Sequence, residues 1–277
     1  MKNIVTKEIL AEGLRNIGLK EGDECNVQLS MKAVGWINGG ERTLLEAFTE
    51  ALGESGTLIV QTHSMNFFKN ADGVHITPYD GKNGAHTGRF PNYVMNLPEA
   101  HRSAHPSHSS AAIGRRAVFY TENHEIKNPF GRESTLNRLY RENGKVLLLG
   151  VSHTSNTILH LAETLGSKYA RTPAYREFGN NVYIKGENGE TVSVKLSVYP
   201  GCSNNFNVMD GFFKYHGISR EGYVGSAYSQ LLDAKSMVDF TVEVLKNRPD
   251  FLLCPGKCGG CEKRRKLLIK KGIINDK

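Results

Sequence analysis

A chain of 277 residues, 39% apolar and 23% charged, can bury a large core, which excludes a wholly disordered protein. No run approaches the roughly 18 apolar residues of a membrane helix, and the N-terminal MKNIVTKEIL has no signal-peptide core. Five cysteines, three of them crowded near the C-terminus, do not form a secreted disulfide framework and point to a reducing cytoplasm; the net charge of +7 sits mostly in residues 254–277, where eight Lys/Arg and two Asp/Glu leave only +1 for residues 1–253.

Thr6 can cap a first helix running to about Ile17, with Ile9, Leu10, Leu14 and Ile17 on one face. Residues 25–30 read as a strand. A turn containing Lys32, Gly35, Gly39 and Gly40 follows, then a helix over residues 41–52 with Leu44, Leu45, Phe48 and Leu52 inward. Strand, glycine-rich turn and helix form the layout of a phosphate cradle, although the glycine spacing fits neither a Walker loop nor a dinucleotide fingerprint. A plain βα turn fits the same pattern. Residues 56–62 form a second strand, with His63 and Ser64 at its carboxyl end, where α/β proteins bind ligands.

Residues 65–100 are rich in Asn, Gly, Pro and His, with weak periodicity, and read as a long irregular excursion. Phe67, Phe68, Tyr79, Phe90 and Tyr93 argue for a partly ordered lid or wall rather than disorder. His101, His105 and His108 have spacings that suit a helix, but Pro106 opposes one and no acidic or thiol ligand adjoins them, so no metal is assigned there. Residues 111–113 read as a strand, and residues 116–122 and 135–141 as short helices.

Lys145-Val146-Leu147-Leu148-Leu149-Gly150 is an apolar run of strand length, and Ile158, Leu159, Ala162 and Leu165 repeat at helical intervals. Between them the polar turn Ser152-His153-Thr154-Ser155-Asn156-Thr157 lies where a strand end meets a helix N-terminus. His160 and Glu163, three apart, project from one side of that helix. They suit a general base held in one tautomer, or an ordinary polar helix pair. Residues 181–185 and 191–198 read as a hairpin, 206–216 as a helix, 223–228 as a strand and 233–246 as a helix with Ala234, Met237, Val238, Val242 and Leu245 inward. The fold class is α/β, a layered mixed sheet flanked by helices with the excursion at about 65–100.

In order along nearly the whole chain, the motifs resemble the aminoglycoside 3-N-acetyltransferases that use acetyl-coenzyme A. The matching pieces are Ser30-Met31-Lys32 with Gly35-Trp36 and Gly39-Gly40; Gly56-Thr57-Leu58 with Thr62-His63-Ser64; Arg102-Ser103 with His105-Pro106, Ser109 and Ala111-Ala112; the run from Gly144 to Val151; Asn156-Thr157, Leu159-His160 and Ala162-Glu163; and Gly201-Cys202-Ser203. The resemblance implies acetyl-coenzyme A in a groove against the first βα turn, and direct acetyl transfer to an amine of an aminoglycoside with His160 as base and Glu163 beside it. It makes Ser30, Met31, Lys32, Val34, Gly35, Trp36, Ser103, His105 and Ser109 candidates for the cofactor. Thr62, Ser64, His153, Asn156 and Thr157 are candidates for the substrate or the oxyanion. Two departures stand out: Gln28-Leu29-Ser30 where the family often has His-Ser-Ser, and Pro91-Asn92 where it usually has Pro-Glu, which removes a carboxylate.

On this reading residues 1–253 form the acetyltransferase domain and residues 254–277 a basic, cysteine-containing tail. Cys202 offers a covalent route, but no base adjoins it in sequence. The spacing of Cys254, Cys258 and Cys261 is like that of a radical S-adenosylmethionine motif, yet only sixteen residues follow where a barrel would be needed. The tail is expected to be mobile with free thiols and no metal. The competing reading is zinc on Cys254, Cys258 and Cys261 with Cys202 or a histidine as fourth ligand. Lys263-Arg264-Arg265-Lys266 allows a binding module of a different class, although nucleic acid is not the expected partner and a membrane is excluded.

Overall fold

The computed structural model describes residues 4–64, 77–166, 181–197, 201–256 and 258–275. In chain order the first elements are β1 (Ile4–Val5), α1 (Lys7–Asn16), β2 (Glu24–Leu29), α2 (Met31–Val34), β3 (Trp36–Ile37), α3 (Gly40–Leu52), β4 (Thr57–Gln61), α4 (Arg89–Met95), β5 (His101–Arg102) and β6 (Ser110–Gly114). They are followed by α5 (Ala117–Thr121), α6 (Thr135–Arg141), β7 (Lys145–Leu149), α7 (Leu159–Gly166), β8 (Asn181–Lys185) and β9 (Thr191–Lys195). The last are α8 (Asp210–Tyr215), β10 (Ser219–Val224), β11 (Ala227–Asp233), α9 (Ala234–Asn247) and α10 (Gly259–Lys270).

Seven strands form one mixed sheet in the order β10-β11-β7-β2-β4-β6-β5. At its centre β2 runs parallel to both β4 and β7, with Leu29 opposite Leu149 and Cys25 opposite Leu58. The outer strands are antiparallel. Parallel strands are covered on both faces, which is why the apolar run of β7 is continuous rather than alternating. Leu147 and Leu149 face one core with Leu10, Leu14, Leu44 and Phe48. Val146 and Leu148 face the other with Leu159, Phe206, Met237 and Val238. Each fully buried leucine contributes about 2 kcal/mol to the three-layer stack. The carboxyl ends of β2, β4 and β7 emerge at one edge, bringing Ser30, Thr62 and Gly150 together.

Several elements differ from the sequence expectation. The turn after β2 contains a short helix, α2, and a two-residue strand, β3, that pairs with β1, so α3 begins at Gly40. Ile9 of α1 faces solvent; Leu10, Ala11 and Leu14 fill the inner face instead. The strand expected over residues 223–228 is a hairpin of β10 and β11 that turns at Gly225-Ser226. Within the excursion, α4 buries Phe90 and Val94, and Tyr79 is buried too; Phe67 and Phe68 lie outside the described residues. The hairpin of β8 and β9 pairs as expected as far as Lys195, and residue 198 lies outside the described residues.

The C-terminal segment departs most from expectation. It is not a loose tail: α10 buries Cys261, Arg264 and Leu268, and a small apolar cluster joins Cys261 and Leu268 to Leu253, Cys254 and Cys202. No helix among the described residues is long and apolar enough to cross a membrane.

Candidate active site

The first βα turn builds one wall of a groove of about 710 Å³. Ser30 caps α2, its Oγ accepting from the Ala33 amide at 3.3 Å. Ser30, Met31, Lys32, Gly35 and Trp36 line the groove, with Gly88–Pro91 opposite. Arg89 at the start of α4 pairs with Glu41 of α3 at 2.8 Å, joining the two lips. Trp36 presents a largely exposed ring there. Val34 does not line the groove: its side chain is fully buried, and its carbonyl accepts from the Ser226 amide at 2.9 Å.

A second cavity of about 240 Å³ meets the first at Leu29 and Pro91. Its wall includes Gln28, Gln61, His63, Thr87, Thr154, Ser155 and Thr157. His160 lies one helical turn beyond Thr157, its amide bonded to the Thr157 carbonyl at 3.0 Å. Both His160 and Glu163 are buried, and Nδ1 of the imidazole is 2.7 Å from Glu163 Oε2. The Phe206 ring centroid lies 4.8 Å from that of the imidazole, and the Phe130 centroid 6.1 Å from it. The three-residue spacing therefore brings an imidazole and a carboxylate into hydrogen-bond contact.

Other predicted residues are buried in hydrogen-bond networks and line neither cavity. Ser109 Oγ donates to the Thr62 carbonyl at 2.8 Å and lies 3.0 Å from the Thr62 hydroxyl. The Arg102 guanidinium donates to Ser109 Oγ and to the Thr62 carbonyl. Ser103 Oγ accepts from the Ser110 amide at 3.0 Å and lies 3.2 Å from His124 Nδ1. His105 Nδ1 accepts from the amides of Ser107 and His108, which puts its proton on Nε2. His153 and Asn156 bond each other at 3.0 Å beneath the turn, with His153 Nε2 3.6 Å from Asp210. Of the residues expected at the substrate or oxyanion, Thr157 alone lines the second cavity. Ser64 is buried, and its hydroxyl has no hydrogen-bond partner among the described residues.

Sequence reasoning overlooks two side chains here. The amide nitrogens of Gln28 and Gln61 are buried without a hydrogen-bond partner among the described residues, and both residues line the second cavity. They are donors waiting for an acceptor. Gln28 registers in the sequence only as a departure from His-Ser-Ser. Imidazoles also converge: the tilted rings of His63 and His108 have centroids 4.7 Å apart, and those of His105 and His124 4.6 Å. Burial pushes His63 down to about 3 and His124 to about 4, and holds His105 well below the usual histidine range.

Asn92, of the Pro91-Asn92 step, holds the backbone around it. Asn92 Oδ1 accepts from the Ala85 amide at 2.9 Å while Nδ2 donates to the carbonyls of Ala85 and Gly88. Its amide pins the loop that leads into α4. Cys202 lines neither cavity; its Sγ lies 3.4 Å from that of Cys254.

Fold and site together are those of an acyltransferase. Residues 27–246 match the family model described as aminoglycoside 3-N-acetyltransferase. The chain is 31% identical over 268 residues to aminoglycoside N(3)-acetyltransferase VII of Streptomyces paromomycinus, covering 88% of this chain and 92% of that protein. Among solved structures it is similar to the aminoglycoside acetyltransferase AAC(3)-IVa apoenzyme, with a TM-score of 0.81 and 28% identity over 96% of this chain and 98% of that one. The same relative as a mutant in complex with a gentamicin gives 0.80 over the same shares. AAC-IIIb in a binary complex with CoASH gives 0.77, with 26% identity over 89% of this chain and 98% of that one. The chain belongs to the aminoglycoside 3-N-acetyltransferase family.

Proposed function

We propose that this protein moves the acetyl group of acetyl-coenzyme A directly to the 3-amine of an aminoglycoside, with His160 as general base. The observation that carries this reading is the buried His160–Glu163 pair at 2.7 Å, one turn beyond a residue of the second cavity. Nδ1–H donates to the Glu163 carboxylate, which keeps the proton on Nδ1 and leaves Nε2 free to receive one from the attacking amine. The amine nitrogen then bonds to the thioester carbonyl carbon, and the C–S bond breaks. Coenzyme A leaves as a thiol with the proton that His160 returns. The orphaned amides of Gln28 and Gln61 suit the developing oxyanion or a substrate hydroxyl. Lys32 and Trp36 on the groove suit a phosphate and a planar base.

Direct transfer fits the place of Cys202, whose thiol faces Cys254 rather than either cavity. A cytoplasmic setting fits five cysteines that form no disulfide. A second reading concerns the acceptor. Among the described residues the wall of the second cavity has no carboxylate, and Asn92 stands where the family usually has one. A less cationic amine than an antibiotic suits that wall.

The test is thiol release from acetyl-coenzyme A against a panel of aminoglycosides and simple amines. Turnover with a 3-amino aminoglycoside, lost when the 3-amine is absent, supports the first reading. Turnover confined to other amines moves the assignment to the second, and no turnover with any amine rejects both.

A further inference from the structure

We propose that Cys202, Cys254, Cys258 and Cys261 hold one zinc ion in a tetrathiolate site that fastens the C-terminal helix to the segment supporting the catalytic imidazole. The four Sγ atoms all lie within 4.8 Å of one another. A zinc–sulfur distance of about 2.3 Å requires tetrahedral edges of about 3.8 Å, so small side-chain rotations suffice. Cys254 and Cys261 are buried, and Cys202 and Cys258 half-buried, so the ion would be enclosed. Three ligands with short spacings and a fourth from a distant segment form a closed structural site with no position left for water.

The surroundings supply what such a site needs. Four thiolates around one Zn²⁺ carry a net charge of −2 and release four thiol protons on binding. The amides of Gly260 and Cys261, at the N-terminus of α10, are directed at the Cys258 sulfur. The Asn204 amide donates to Cys202 Sγ at 3.4 Å. Arg265 donates to the Cys254 carbonyl at 2.7 Å. The buried Arg264 lies directly against Gly201, where a Cβ would fall 1.4 Å from its Nη1. The basic run is therefore turned partly inward, onto the backbone beside Cys202 and Cys254, and Lys266 is paired with Glu262 at 2.8 Å. This arrangement argues against the run as an independent polyanion-binding module. A polynuclear iron–sulfur cluster would spread its cysteine sulfurs farther apart than these are.

The consequence reaches the proposed base. Cys202 opens the stretch that carries Asn205 and Phe206. Asn205 Nδ2 donates to the carbonyls of Phe251 and Leu253, and the Phe206 ring packs on His160. A metal at the cysteines would hold both ends of this connection. Three of its ligands lie beyond the family match, which ends at residue 246.

The experiment uses the full chain, produced with zinc in the medium and desalted without chelator. Elemental analysis is expected to return about one zinc per chain, and a strong chelator to lower the melting temperature reversibly on zinc return. Cobalt(II) replacing zinc is expected to show the sulfur-to-metal charge-transfer and intense visible bands of a tetrahedral thiolate site. The Cys258→Ser/Cys261→Ser double variant should lose the metal; should it fail to fold, the cobalt spectrum of the unaltered chain decides alone. Protein with no bound metal and all five thiols titratable after denaturation overturns the proposal. So does a stable Cys202–Cys254 or Cys258–Cys261 disulfide, or iron in place of zinc.

Discussion

His160 Nδ1 and Glu163 Oε2 sit 2.7 Å apart on one turn of α7, and both are buried. In that geometry the carboxylate fixes which ring nitrogen carries the proton. We expect His160→Ala to lower kcat by about 10²- to 10⁴-fold, the usual contribution of a general base, with coenzyme A affinity retained. Glu163→Gln should cost less, because its carbonyl oxygen can still accept from Nδ1. Steady-state kinetics with calorimetric binding of coenzyme A separates these effects. A folded His160→Ala enzyme with near-normal kcat would remove the imidazole from the mechanism.

Asn92 works through its amide, donating to two carbonyls and accepting from one N–H. Asn92→Asp keeps the shape and loses both donors, turning two hydrogen bonds into acceptor–acceptor contacts. The expected cost is about 1–3 kcal/mol, read from urea denaturation, with a raised KM for acetyl-coenzyme A because α4 forms a lip of the groove. Unchanged stability would mean that the loop is held by other contacts.

Acid should destabilise the protein before it reaches the carboxylate range. His105, His124 and His153 are buried; burial holds His105 well below its usual range, and pushes His124 to about 4 and His153 to about 4 despite nearby Asp210. An unfolded histidine takes up a proton near pH 6.5. Below that the unfolded chain binds protons that the folded one refuses, so stability is complete above about pH 6.5 and declines toward about pH 4. Each such histidine removes about 1.4 kcal/mol per pH unit in that window. Denaturation midpoints from about pH 7.5 to about 5 check the slope; a flat profile would contradict it.

Much of this is legible in the sequence where a pattern is local. The run Val146–Leu149 announces a doubly covered strand, and the three-residue interval of His160 and Glu163 places both on one side of a helix. What escapes is pairing at a distance. The hairpin of β10 and β11 hides because its turn, Gly225-Ser226, lies inside the stretch read as one strand. Gln28 and Gln61 gain meaning only when neighbouring strands leave their amides facing a cavity. The imidazole cluster gathers residues as far apart as His63 and His124, and no spacing rule joins them. The tail misleads because charge and cysteines read as solvent-facing, whereas Leu268 and Arg264 anchor it inward.

Because both faces of β7 are buried and apolar, hydrophobic patterning cannot choose among its alignments with β2; a shift by one residue would exchange leucine for leucine or valine. The choice falls to the strand's two ends. A Cβ at Gly144 would lie 2.8 Å from the Glu24 carbonyl, and one at Gly150 would lie 2.5 Å from the Ala33 Cβ. Between them Lys145 faces Asp233 across the ladder and is ion-paired with it. Any slip would drive a side chain into one of two places that admit none, and would carry residues 152–160 about 3.3 Å along the sheet. The two glycines thus act as index marks, and the position of the imidazole relative to the groove is measured from them.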